Sequence, residues 1–299
     1  MTALNSLVKL SPWVAAVLLL ASQICVAGAD NSTTQPATTE PTMTSLEQQF
    51  IFPGSFRQGT PGARIIPPSG AELLTLRAAD GTSIAGLYGA AIHPRDAHPP
   101  TILCFYGNGA SVATSTGTLT ALRNLGYNAM LVDYEGYGMS GGRPGEAGCY
   151  AAADAGYDYL LSRKEIDSNR IVAMGHSLGG AIAIDLASRR HVAGLITFST
   201  FTNIAEMAKP ILAQFPVSIP ITTRFDSLSK IPKITCPIFM AHGSQDHIVP
   251  ASMLDALVAV AKVPVTRVLI PGASHSDVFQ HDAKLFSGQF KEFIDHCGG

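Results

Sequence analysis

The run Gly175-His176-Ser177-Leu178-Gly179 sets one serine between two glycines. A serine hydroxyl is a weak nucleophile at neutral pH. To attack a carbonyl it needs a base beside it and a turn tight enough to lift its Oγ clear of the backbone. An apolar stretch, Ile171–Met174, leads into the motif, and an Ala-rich helical pattern starts at Leu178. Strand, tight turn and helix in that order are the context of a nucleophile elbow, in which side chains at 175 or 179 would crowd the neighbouring strand and helix. A serine that merely caps a helix would need no such strand, so the elbow is the preferred reading.

The partners of such a serine follow it in the order acid, then histidine. Asp246 closes His242-Gly243-Ser244-Gln245-Asp246, just after the apolar run Pro237–Ala241. His275 closes Pro271-Gly272-Ala273-Ser274-His275, just after Thr266–Ile270. The loop after Val192–Ser199 offers Thr200 and no carboxylate, which removes the main competitor for the acid. Each partner has a plainer alternative: Asp246 as a turn residue and His275 as a helix cap, with His247, His281 and His296 as rival histidines, while His242 is expected to pack or hydrogen-bond within its turn. His275, Asp277 and His281 are close in sequence, but they lack the paired histidines at helical spacing with a glutamate that a zinc site of this kind uses. No metal and no cofactor are called for. The oxyanion formed during acyl transfer needs backbone N–H donors. Leu178, next to the nucleophile, is one candidate, and Asn108 in Tyr106-Gly107-Asn108-Gly109 is the other.

The elements that must position these groups alternate along the chain. Glu72–Arg77 and Ser83–Ala91 read as strands joined across Asp80-Gly81, a hairpin signal. Strand-like runs at Thr101–Phe105, Ala129–Asp133, Ile171–Gly175, Val192–Ser199, Pro237–Ala241 and Thr266–Ile270 are interleaved with helical patterns. The helical stretches are Ala113–Asn124, Ala147–Arg163, Leu178–Arg190, Ala251–Lys262 and Phe279–His296. Strands alternating with helices imply a mostly parallel sheet flanked by helices. In such sheets ligands bind beyond the carboxyl ends of the strands, where Ser177, Asp246 and His275 all fall. The segment 201–233 is too short for a large lid. It reads either as a small cap, with Ile211, Leu212, Phe215, Val217 and Ile219 partly facing substrate, or as a packed connector.

Phe105-Tyr106-Gly107-Asn108-Gly109, the stretch from Val132 through Asp133-Tyr134-Glu135-Gly136-Tyr137-Gly138-Met139-Ser140 to Gly142, and Gly175 to Gly180 together resemble the BEM46-like α/β-hydrolases. Arg224-Phe225-Asp226-Ser227 and His242 to Asp246 fit the same group, and the similarity runs from about Glu72 to His296. The resemblance implies the α/β-hydrolase fold, Ser177, Asp246 and His275 as the triad, and Asn108 with Leu178 as the oxyanion hole. It also implies hydrolysis of an ester or thioester; a silent binding scaffold and an aminopeptidase-like amidase are the rival readings. One position departs from the pattern: the family usually has His-Gly-Asn in the oxyanion loop, and this chain has Tyr106.

The 299 residues are 46% hydrophobic and 14% charged, enough for one sizeable core. A net charge of -2 with no basic stripe argues against a nucleic-acid partner; a small-molecule or lipid-like acyl substrate is expected instead. Lys9, the apolar run Trp13–Ala21 and Ala27-Gly28-Ala29 read as a signal peptide over 1–29, so the chain is expected to be exported, as a secreted or periplasmic protein. Membrane contact would come only through this segment, were it retained as an anchor. Residues 30–45 are Thr/Pro-rich and read as a disordered linker, leaving 46–299 as the hydrolase-like domain. Cys104, Cys149, Cys236 and Cys297 are too sparse for a disulfide scaffold.

Overall fold

β3 (Thr101–Phe105), β4 (Asn128–Val132) and β6 (Gly194–Phe198) are buried along their whole length, as strands covered on both faces must be. The computed structural model describes residues 48, 50–212, 222–281 and 286–298. The leader and linker assigned above therefore lie outside the described residues.

β1 (Ala71–Arg77) and β2 (Ser83–Gly89) form the antiparallel hairpin expected at Asp80-Gly81. Gly81 has φ +89°, and Asp80 Oδ1 accepts the Thr82 N–H at 2.9 Å. Eight strands form one sheet in the order β1-β2-β4-β3-β5-β6-β7-β8, with β5 at Ile171–His176, β7 at Ile238–Gly243 and β8 at Val265–Ile270. β2 pairs antiparallel with β4, and every later pairing is parallel. The mostly parallel sheet read from the alternation is therefore present, with the doubly crossed order that puts β5 near its centre.

The flanking helices are α1 (Val112–Asn124), α2 (Glu146–Ser162), α3 (Leu178–Arg189), α4 (Ile204–Leu212), α5 (Ser227–Lys230) and α6 (Ser252–Val260). α3 is buried from Leu178 to Ala187 because it packs on the sheet while α2 covers it. Ser111 caps α1 through a reciprocal box with Thr114, whose Oγ1 accepts the Ser111 N–H at 2.9 Å.

One expectation is refined, and one open choice is narrowed for the described residues. The helix expected over Phe279–His296 changes its winding within the described residues. Its described parts are α7 (Val278–His281), a π-helical turn at Phe286–Phe290 and α8 (Lys291–His296). The π turn contains Gly288, a residue that holds regular helix poorly. In 201–233, the described side chains Phe201, Ile204, Phe225 and Ile231 are core residues, and Phe225 packs on Phe52 and Tyr150. These parts are packed connector. The cap contacts expected of Ile211, Leu212, Phe215, Val217 and Ile219 fall on side chains outside the described residues. The four described cysteines are buried and free. No helix among the described residues is long and apolar enough to cross a membrane.

Candidate active site

Ser177 caps the start of α3 with φ 55° and ψ −117°, a conformation that non-glycine residues avoid unless their surroundings force it. Three hydrogen bonds do so here. The Ser177 N–H donates to the Phe198 carbonyl at 2.9 Å, and its carbonyl accepts from the Gly180 N–H at 2.9 Å and Thr200 Oγ1 at 3.0 Å. The glycines act as the sequence reading required. A Cβ at Gly175 would run into the Gly179 carbonyl, and one at Gly179 into the Phe105 carbonyl of the neighbouring strand.

The loops after β7 and β8 are stitched together before either reaches the serine. Ser244 N–H donates to the Ile270 carbonyl at 3.0 Å, Gln245 N–H to the Ala273 carbonyl at 2.9 Å, and Gly272 N–H to Ser244 Oγ at 2.9 Å. This stitching brings Asp246 and His275 together although 28 residues separate them. His275 Nδ1 lies 2.7 Å from Asp246 Oδ2, and His275 Nε2 lies 3.0 Å from Ser177 Oγ. All three residues are at most 9% exposed.

Asp246 is fully occupied. Its Oδ1 accepts the Ile248 and Val249 N–H groups at 2.9 and 2.8 Å, and its Oδ2 also lies 3.2 Å from His242 Nε2. Burial pushes its pKa up, but the hydrogen bonds from His242 and His275 outweigh that and hold the carboxylate well below its usual range. An ionised Asp246 fixes the proton of His275 on Nδ1 and leaves the Nε2 lone pair facing the Ser177 hydroxyl. That is the arrangement for drawing a proton from serine as it attacks a carbonyl.

The rival histidines are placed elsewhere. His247 is exposed beside Asp246. His281 lies 3.5 Å from Asp277, and His296 hydrogen-bonds the Glu292 carbonyl of its own helix. His242, expected to be occupied within its turn, donates to the Val249 carbonyl at 2.9 Å and also braces Asp246. The spacing of His242 and Asp246, four residues apart across a turn, is the only sequence trace of that brace.

The loop carrying Asn108 comes down beside the serine: a Cβ at Gly107 would lie 3.6 Å from Ser177 Cβ. The Gly107 carbonyl accepts from the Ala110 N–H at 3.0 Å, so the trans peptide turns the Asn108 N–H the opposite way. The Asn108 carbonyl accepts from the Gly54 N–H and the Tyr137 hydroxyl, both at 3.0 Å, and Asn108 Nδ2 donates to the Ile51 carbonyl at 3.1 Å. Sequence reasoning missed these clamps, because Ile51 and Gly54 precede the first strand and carry no motif.

Tyr106 also has a defined place. Its hydroxyl donates to Asp133 Oδ1 at 3.0 Å and accepts the Tyr134 N–H at 3.2 Å. The Tyr134 hydroxyl donates back to the Tyr106 carbonyl at 2.6 Å, and the rings stack at 4.4 Å. Tyr106 therefore supports the loop by packing and hydrogen bonding.

Known proteins now bear on this geometry. The family model described as serine aminopeptidase, S33, matches residues 97–227. The uncharacterized protein Rv2307c of Mycobacterium tuberculosis is 31% identical over 234 residues, which span 78% of this chain and 82% of that one. The chain belongs to the BEM46-like α/β-hydrolase family. Among other members, human α/β hydrolase domain-containing protein 17C is 29% identical over 203 residues, covering 66% of this chain and 58% of its own length. The solved Pyrococcus furiosus esterase Pf2001 superposes with a TM-score of 0.64 at 17% identity, over 79% of this chain and 97% of its own. This BEM46-like protein thus has the α/β-hydrolase fold and is a hydrolase. Ser177, Asp246 and His275 lie together at the carboxyl ends of its strands.

Proposed function

We propose that the protein hydrolyses a carboxylic ester or thioester of a small-molecule or lipid-like acyl substrate, through an acyl-enzyme at Ser177. The observation that carries this reading is His275 spanning from Asp246 at 2.7 Å to Ser177 at 3.0 Å. Ser177 Oγ attacks the substrate carbonyl while His275 Nε2 takes its proton. The same nitrogen then protonates the leaving alcohol or thiol, and a water repeats the sequence to free the acid. Asp246 stabilises the imidazolium formed in between. The Asn108 and Leu178 N–H groups are the proposed donors to the oxyanion.

An amide reading draws support from the serine aminopeptidase description of the matching family model. Recognition of a free amine calls for carboxylates facing the cleft. Among the described residues, Asp246 and Asp133 have their oxygens engaged by donors of the chain, and Glu146 holds the Tyr150 hydroxyl and the Arg224 N–H. The occupied carboxylates favour the ester and thioester reading over the amidase, and the contacts joining Ser177, His275 and Asp246 favour it over a silent scaffold. Export rests on the Lys9 to Ala29 pattern; detection of a chain beginning near Asp30 outside the cytoplasm tests it.

Treatment of the purified protein with a fluorophosphonate probe tests the chemistry. Labelling at Ser177, abolished in Ser177→Ala, is expected, together with turnover of chromogenic esters. A folded protein that takes up no probe would favour a silent scaffold, and turnover of aminoacyl amides in preference to esters would favour the amidase.

A further inference from the structure

His275 hangs from a loop beyond β8, the last strand at the edge of the sheet. Most of β8 is half-buried or exposed, so the strand anchors this loop loosely compared with the fully buried centre. The base must nevertheless keep two geometries at once, to Asp246 and to Ser177. His176, at the end of central β5 and next to the nucleophile, meets that loop where it comes over to Ser177. Its Nε2 lies 2.8 Å from the His275 carbonyl. A carbonyl only accepts, so His176 carries its proton on Nε2 and donates. The two rings lie 5.0 Å apart. On its other side the His176 ring meets the oxyanion loop, where a Cβ at Gly107 would lie 3.1 Å from Nδ1. One side chain therefore touches the backbones of both loops that must meet at Ser177.

We propose that His176 is a positioning residue whose Nε2–H bond to the His275 carbonyl holds the base in register with Ser177 and Asp246. The proposal rests on the serine-hydrolase reading above and adds a residue to it. His176 works as a neutral ring. Burial first, then the neighbouring His275, lowers its pKa to about 4, while Asp246 and His242 are the other titratable groups facing it. A charge on His176 would oppose the imidazolium that His275 becomes during the reaction.

The test uses the full chain with His176→Leu, His176→Asn and His176→Gln, on a soluble chromogenic ester and a fluorophosphonate probe. Leu removes the donor, Asn keeps an amide too short to reach, and Gln extends its N–H about as far as Nε2. Loss of one such bond should lower kcat about tenfold in the Leu and Asn variants, with KM within twofold. Probe labelling of Ser177 should slow in proportion, and Gln should recover most of the rate. Thermal unfolding gives the folded fraction of each, so lost packing is separated from lost alignment; if the Leu variant does not fold, the Asn and Gln pair carries the comparison. Wild-type kcat in the variants lacking the donor, or an equal loss in Asn and Gln, would overturn the proposal. Ser177→Ala is run alongside. Turnover in that variant would sink the serine-hydrolase reading itself, whereas an inert Ser177→Ala beside a fully active donor-less His176 variant would remove only the positioning role.

Discussion

Tyr106 and Asp133 are joined by a 3.0 Å hydrogen bond from the phenol to Oδ1, and that bond ties the loop after β3 to the end of β4. The same carboxylate accepts the Val112 N–H at the start of α1 at 2.8 Å through Oδ1 and the Met139 N–H at 3.0 Å through Oδ2. Burial raises its pKa, and these donors work against the rise. Tyr106→Phe would leave the Tyr134 N–H without its acceptor and Asp133 short of one donor in the core. Urea unfolding should show a loss of roughly 1–3 kcal/mol, with kcat reduced less than tenfold because the backbone of the loop remains. An unchanged midpoint would mean that the phenol bond contributes nothing.

Asp246→Asn keeps the size of the side chain and an acceptor for Ile248 and Val249, so the fold should survive. The amide cannot enforce the proton on His275 Nδ1 or stabilise its charged form. On the serine-hydrolase reading kcat should fall on the order of 10³–10⁴-fold, with KM little changed. Steady-state kinetics on one ester checks this. A drop of only a few fold would remove Asp246 from the acid role.

The clamp on Asn108 separates a removed bond from a displaced loop. Tyr137→Phe deletes one of two donors to the Asn108 carbonyl and should lower kcat several-fold. Gly54→Ala places a Cβ 2.7 Å from that carbonyl and 2.5 Å from the Tyr137 ring, so the loop itself must move. Its cost should approach that of losing an oxyanion donor, roughly 10²–10³ in kcat. Equal kinetics for the two variants would show that the position of this loop does not control the rate.

His176 also predicts a pH dependence of stability. Its folded pKa of about 4 lies below the value of roughly 6.5 for an unfolded histidine. Between those values the unfolded chain holds the extra proton, so stability falls as pH drops from 6.5 toward 4 and is flat above 6.5. Relative to the wild type, His176→Leu should lose on the order of 1–2 kcal/mol of the decline between pH 7 and pH 5. Denaturant unfolding at the two values measures it, and parallel pH profiles for the two proteins would contradict the assignment.

The linear sequence determined most of the fold and pointed to the three side chains of the candidate site. Ser177 stood out because an elbow needs Gly175 and Gly179 within four residues, and the strand before and helix after are local patterns. Asp246 and His275 could be chosen because chain order and the position after a strand are also local. The eight-strand order, the stitching of the β7 and β8 loops, and the clamps from Ile51, Gly54 and Tyr137 were decided only by the tertiary structure. They join residues distant in sequence through backbone groups, and every residue has a backbone N–H or carbonyl of the same appearance. The bracing of Asp246 by His242, the bond between His176 and the His275 carbonyl and the π-helical winding around Gly288 belong to the same class. In each, the deciding quantity is a direction in space after the chain has packed, which residue type and spacing do not encode.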